Sequence, residues 1–248
     1  MDALKAYMGV CGIDKCVAYA TFPDRFRDSG LMCNQNQYLA KAIEDCPDIY
    51  GFGTVDFEQD NLEEQLDEIH ALSFKGIKIH PQAQEISVDG EKAFRVYEKC
   101  ETLGLFISFH TGVHWHRMKD SALMLYDEVA FNFQNLRFSM EHMGGYSFFN
   151  EALAVMVNNS REGIQPRVFA GWTSITNNGD AWSISDEQLK ILLKQTSENN
   201  SIFGIDFPFN NIEKTQSAIA RIQNLDIPNQ TKDKILGKNL ADALGIEL

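Results

Sequence analysis

The sequence predicts an α/β chain of TIM-barrel type, a (β/α)8 fold in which seven of the eight strands can be recognised. Three observations carry this. Short β-branched and aromatic runs recur about every 25 to 35 residues with helix-patterned segments between them, the rhythm of parallel strands joined by crossover helices. Helix-to-strand links such as CPD, SF and QN are short, whereas several strand-to-helix links are long, as in barrels that carry their chemistry on one face. No G-x-G-x-x-G opens a helix, which argues against a dinucleotide-binding sheet.

In order, Asp2 to Cys11 reads as a helix with Leu4, Met8 and Cys11 on one side, stopped by Gly12, and Lys15 to Ala20 is the first strand. A loop with Arg25 and Arg27 follows. Asn34 or Asn36 can cap the next helix, and Ile49 to Asp56 is the second strand. Asp60 is placed to cap NLEEQLDEIHAL, where Leu62, Leu66, Ile69 and Leu72 recur at helical spacing. KGIKIHP and LFISFHTG are the third and fourth strands, flanking a helix lined by Phe94, Tyr97 and Cys100. Strand alternation gives each an apolar outer face, Ile77 and Ile79 or Ile107 and Phe109, and an inner face ending in His80 or His110.

SALMLYDEVAFNF is helical and RFSMEH is strand five, with His142 expected on the face of Phe138 and Met140. SFFNEALAVMVNN is a helix and RVFAGW strand six. Ser185 and Gln188 make a capping box for DEQLKILLKQTS, and strand seven is Ile202 to Asp206. Helices near 211–224 and 229–244 close the chain. No linker or low-complexity tract interrupts it, so residues 1–248 read as one domain.

The 44% apolar and 23% charged content is that of a globular protein. A formal charge of −13 disfavours nucleic acid or an anionic membrane as partner. Five cysteines without a C-x-x-C pair disfavour a disulfide framework and fit a reducing, cytoplasmic setting. No apolar run approaches the roughly 20 residues of a membrane span, and the first residues carry no signal-peptide pattern.

Alternation brings His80, His110, His142 and Asp206 to one end of the barrel, with Lys78 on the same inner face as His80. Imidazole and carboxylate together suit zinc or a similar divalent ion, which lowers the pKa of bound water to about 7. Trp172 is a candidate pocket wall, with Trp182 beside it, although core or lid packing is an equal reading. Arg25 could hold a substrate carboxylate or be a solvated loop charge.

KGIKIHP, FHTG, MEHMGG, FGIDFPF and KILGKNLADALG together resemble the amidohydrolase-related metal-dependent hydrolases and decarboxylases. The resemblance implies that His110 is a metal ligand, that Asp206 is a ligand or general base, and that His142 polarises substrate or water. It also implies a metal-dependent hydrolase acting on a small, carboxylated substrate, with decarboxylation as the alternative within enzymes. Family members begin on a strand ending in H-x-H, which does not precede Met1. The chain is therefore expected to be an N-terminally incomplete barrel, and an inactive relative serving in binding or assembly is the rival reading. The two unpaired sheet edges of such a barrel call for a cover, and a homo-oligomer is one. The only H-x-H present is His114-Trp115-His116, in the loop after strand four, not expected to reach the first strand's position.

Overall fold

The structure, a computed structural model, describes residues 1–160 and 165–248. Seven strands, β1 (Cys16–Tyr19), β2 (Ile49–Gly53), β3 (Gly76–Ile79), β4 (Phe106–His110), β5 (Phe138–Glu141), β6 (Val168–Gly171) and β7 (Ser201–Ile202), pair in sequence order, all in parallel. The helices are α1 (Asp2–Cys11), α2 (Pro23–Arg27), α3 (Gln35–Ile43), α4 (Leu62–Ala71), α5 (Glu91–Leu103), α6 (Leu125–Asn132), α7 (Gly145–Asn159), α8 (Asp186–Gln195), α9 (Ile212–Asn224), α10 (Asn229–Asp233) and α11 (Asn239–Leu244). A π-helical turn at Lys234–Lys238 joins the last two, so the expected closing helix at 229–244 is interrupted.

The sheet curls into an open half-barrel. Phe52 of β2 meets Phe106 of β4 at a ring-centroid distance of 6.0 Å, and Phe106 meets Phe169 of β6 at 5.6 Å. Strands two apart in a flat sheet lie about 9.5 Å from each other, so these contacts need curvature. Alternate strands thus supply one inner layer, as in TIM barrels. Gly76 lies between the first two rings, where a Cβ would come 2.8 Å from Phe52. Ile202, Ala243 and Leu244 complete this inner cluster, and Arg137 at the start of β5 donates to the Ala243 carbonyl. The C-terminal segment therefore stoppers the end of the half-barrel opposite the histidines.

A larger core lies between sheet and helices. It contains Ile77, Ile79, Ile107 and Phe109, as the alternation of β3 and β4 predicts, together with Leu62, Leu66 and Ile69 of α4. Helix ends follow local chemistry. Gly12 and Gly104 adopt left-handed conformations after α1 and α5. Asn34 with Gln37 and Ser185 with Gln188 form complete capping boxes. Asp60 differs from expectation: Asn61 occupies the N-cap of α4 without a side-chain bond, and Asp60 instead pairs with Lys92 at 3.2 Å.

Candidate active site

The inner face of the half-barrel carries a polar layer above the phenylalanines. Lys78 is buried, and its Nζ lies 3.5 Å from Ser108 Oγ and 5.3 Å from the Tyr19 ring centroid. The Tyr19 hydroxyl is 3.0 Å from the same Ser108 Oγ. Glu141, also buried, accepts from Ser139 Oγ at 2.6 Å, from Thr173 Oγ1 at 2.7 Å and from Ser108 Oγ at 3.4 Å. No carboxylate oxygen comes within 4.0 Å of Lys78 Nζ among the described residues. Burial lowers the Lys78 pKa to about 8, although the Glu141 and Asp206 charges oppose the shift.

Above this layer five of the six histidines gather. His80 stacks face to face on His110 at 3.8 Å, His110 meets His142 at 4.8 Å, and His114 stands edge-on to His80 at 4.6 Å and parallel to His116 at 5.7 Å. His80 Nδ1 accepts the Ala83 N–H at 3.3 Å, so the neutral ring carries its proton on Nε2. His142 is the reverse: Nδ1 lies 3.1 Å from the Thr173 carbonyl and must be the donor, which leaves Nε2 with a free lone pair. Burial, reinforced by neighbouring cationic charge, holds His80 down at about 3 and His110 well below the ordinary histidine range. Burial also lowers His142, against the pull of Asp206.

The expectation for β5 needs correction. Phe138 and Met140 face the helices, while Ser139 and Glu141 point inward. His142 reaches the site by another route: the strand ends at Glu141, and His142 takes φ +66°. Asp206 arrives similarly. Of the expected seventh strand, Ile202 to Asp206, only Ile202 is paired, together with Ser201 before it, and Asp206 lies in the following loop at φ +54°. Among the described residues six non-glycines have positive φ, and four of them (His142, Met143, Ser174 and Asp206) lie in the loops after β5, β6 and β7. Such clustering of unfavourable backbone is typical of functional loops.

Trp172 takes the core-packing alternative: it is fully buried between sheet and helices. Trp182 is the aromatic wall, 5.1 Å from His142 and 6.0 Å from His110. The glycines of the HTG and HMGG segments make room for it, since a Cβ at Gly112 or Gly145 would lie 2.6 Å from its ring. Arg25 is an exposed residue of α2, close enough to His114 for its charge to help lower that ring's pKa, after burial.

His110 Nε2 and His114 Nδ1 are buried without a hydrogen-bond partner among the described residues. Yet no three His, Cys, Asp or Glu side chains among the described residues are grouped to hold a metal ion. A catalytic zinc takes three protein ligands; the resemblance implies His110 and Asp206 as two of them, and His80 has Nδ1 engaged with the Ala83 N–H. Among the described residues the donors do not by themselves complete a three-ligand group.

The amidohydrolase family profile matches residues 21–246. The chain belongs to this family. No curated protein matches it in sequence. In architecture it is similar to 5-carboxyvanillate decarboxylase from Sphingomonas paucimobilis, with TM-score 0.74, 16% identity, and coverage of 98% of this chain and 82% of that one. It is similar also to a TIM-barrel protein from Bordetella bronchiseptica, with TM-score 0.79, 18% identity, and coverage of 99% and 82%. A third likeness is dihydroxybenzoic acid decarboxylase from Polaromonas sp. JS666 with bound manganese and the inhibitor 2-nitroresorcinol, with TM-score 0.70, 14% identity, and coverage of 99% and 86%. At these identities the likeness is one of fold, and it confirms the TIM-barrel class. Among the described residues no helix is long and apolar enough to cross a membrane.

Proposed function

We propose that this amidohydrolase-family chain is a carboxy-lyase acting on a small carboxylated aromatic acid. The observation that carries the reading is His142 held by the Thr173 carbonyl with Nε2 free, at the end of the sheet where Lys78 and Asp206 also act on it electrostatically. Fold-level likeness to decarboxylases supports the choice of decarboxylation over hydrolysis.

The steps use side chains of this chain alone, since its described donors fall short of a metal site. The Lys78 ammonium offers a charge for the substrate carboxylate. His142 Nε2 takes a proton from a ring hydroxyl, which raises electron density on the neighbouring ring carbon. Asp206, having taken a proton from water, passes it to that carbon, the C–C bond breaks, CO2 leaves as the ring recovers its electron pair, and His142 returns its proton to the ring oxygen. Trp182 walls the site and offers a face for an aromatic ring. The free thiols of all five cysteines accord with a reducing compartment such as the cytoplasm.

The experiment is incubation of the purified protein, its metal content measured, with a panel of hydroxybenzoates, reading CO2 release and ring product. Release that falls at least a hundredfold in both Asp206→Asn and His142→Asn supports the reading. Ring opening of a lactone without CO2 release would move it to hydrolysis. Inertness toward both classes would favour a binding or assembly role.

A further inference from the structure

We propose that Lys78 is an imine-forming amine that condenses with the carbonyl of a small keto or aldehydo acid. The proposal stands apart from the carboxy-lyase reading, which uses Lys78 only as a charge.

Three features of its surroundings point this way. Lys78 is buried on the inner face of β3, two residues before His80, yet among the described residues no carboxylate lies within ion-pairing distance. A structural lysine so buried is ordinarily neutralised by a paired carboxylate; this amine has only a long contact to Ser108 Oγ, at 3.5 Å. That hydroxyl in turn reaches Glu141, at 3.4 Å, and Tyr19, at 3.0 Å, so a proton leaving the amine has a two-step path to a buried carboxylate. The third feature is access. Nζ lies over the Tyr19 ring on edge strand β1, and Tyr19 is 45% exposed, which puts the amine one ring away from solvent at the open side of the half-barrel.

The charged and titratable groups around the amine are Tyr19 from β1, His80 just beyond its own strand, His110 from β4, Glu141 from β5, and Asp206 and His142 from the loops beyond β7 and β5. Burial outweighs both carboxylates and lowers the amine's pKa to about 8, so an appreciable share is free base near neutrality.

The chemistry balances without an outside oxidant or reductant. The nitrogen lone pair forms the C–N bond as the carbonyl π pair moves to oxygen. That oxygen leaves as water, carrying one hydrogen from nitrogen and one proton from the surrounding acids, and a protonated imine remains. Where a carboxylate stands β to the imine carbon, the C–C pair becomes the C=C bond of an enamine, the C=N π pair moves to nitrogen and CO2 departs. Protonation at carbon and hydrolysis by water then restore Lys78.

The test is borohydride trapping. The intact protein is incubated with pyruvate or acetoacetate, reduced with sodium borohydride, and mapped peptide by peptide by mass spectrometry. The expected result is a reduced adduct on Lys78 at least tenfold above exposed lysines such as Lys119, with the preference lost when trapping is done in denaturing urea. A Lys78→Arg variant, checked for native circular dichroism, should lose the adduct. Labelling spread evenly over surface lysines, or none at Lys78 in the native protein, would overturn the proposal. Either result leaves the CO2-release assay on hydroxybenzoates to decide the carboxy-lyase reading separately.

Discussion

His80→Gln should make the protein less sensitive to acid. His80 stacks on His110 and is held neutral, its pKa lowered from 6.5 to about 3, first by burial and then by the Lys78 charge. The folded chain therefore resists a proton that the unfolded chain takes up readily. The stabilisation is complete above about pH 6.5 and is lost as pH falls toward 3. Each pH unit in that window costs about 1.4 kcal/mol, so the drop from 6.5 to 5 removes about 2 kcal/mol. That is a sizeable share of the roughly 5 to 15 kcal/mol that stabilises a domain. Glutamine can still accept the Ala83 N–H but does not titrate. Urea unfolding at pH 7 and pH 5 measures the difference directly. The wild type, with His110, His114 and His142 depressed in the same sense, should lose more stability than the variant, by about 2 kcal/mol. Equal losses in the two proteins would refute a neutral, stacked His80.

Other substitutions test the rest of the site. Gly145→Ala places a methyl 2.6 Å from the Trp182 ring at φ +62°, so stability should fall by about 1 to 3 kcal/mol with a change in tryptophan fluorescence. Glu141→Ala removes the charge nearest the buried Lys78 ammonium and unpairs the Ser139 and Thr173 hydroxyls. A loss of about 3 kcal/mol or more is expected, readable as a fall of several degrees in melting temperature. Asn34→Ala deletes a capping box and should cost about 1 kcal/mol with the pH dependence of stability unchanged.

Much of this architecture is legible from side-chain alternation, because period-2 patterns decide which face is oily. Ile77 and Ile79, and Ile107 and Phe109, face the helices as the pattern requires, and this puts Lys78, His80, Ser108 and His110 inside. The same rule applied to Phe138 and Met140 would have turned Glu141 inward. Placing His142 on their face assumed that the strand runs one residue further than it does. Positive φ at His142 and Asp206 is a backbone event beyond the strand ends, which alternation cannot describe. Trp172 and Trp182 have identical side chains in one loop region. Which of them is core depended on the exit from β6, where Trp172 N–H still bonds to the Ile202 carbonyl. His114 belongs to a loop, where no periodicity exists to bring it against His80.

The order of the sheet has a consequence for its motions. With β1 and β7 at opposite edges, the seven strands form a ladder with two ends, and opening can begin at either end without disturbing the middle. Amide hydrogen exchange should then be slowest in β4, at the centre, and quicken toward the edges. β7 is held to β6 through only two residues, and Asp206 follows it by four positions. The carboxylate proposed to deliver the proton is thus tethered to the rung most easily released, so local fraying there would set how often the site is assembled.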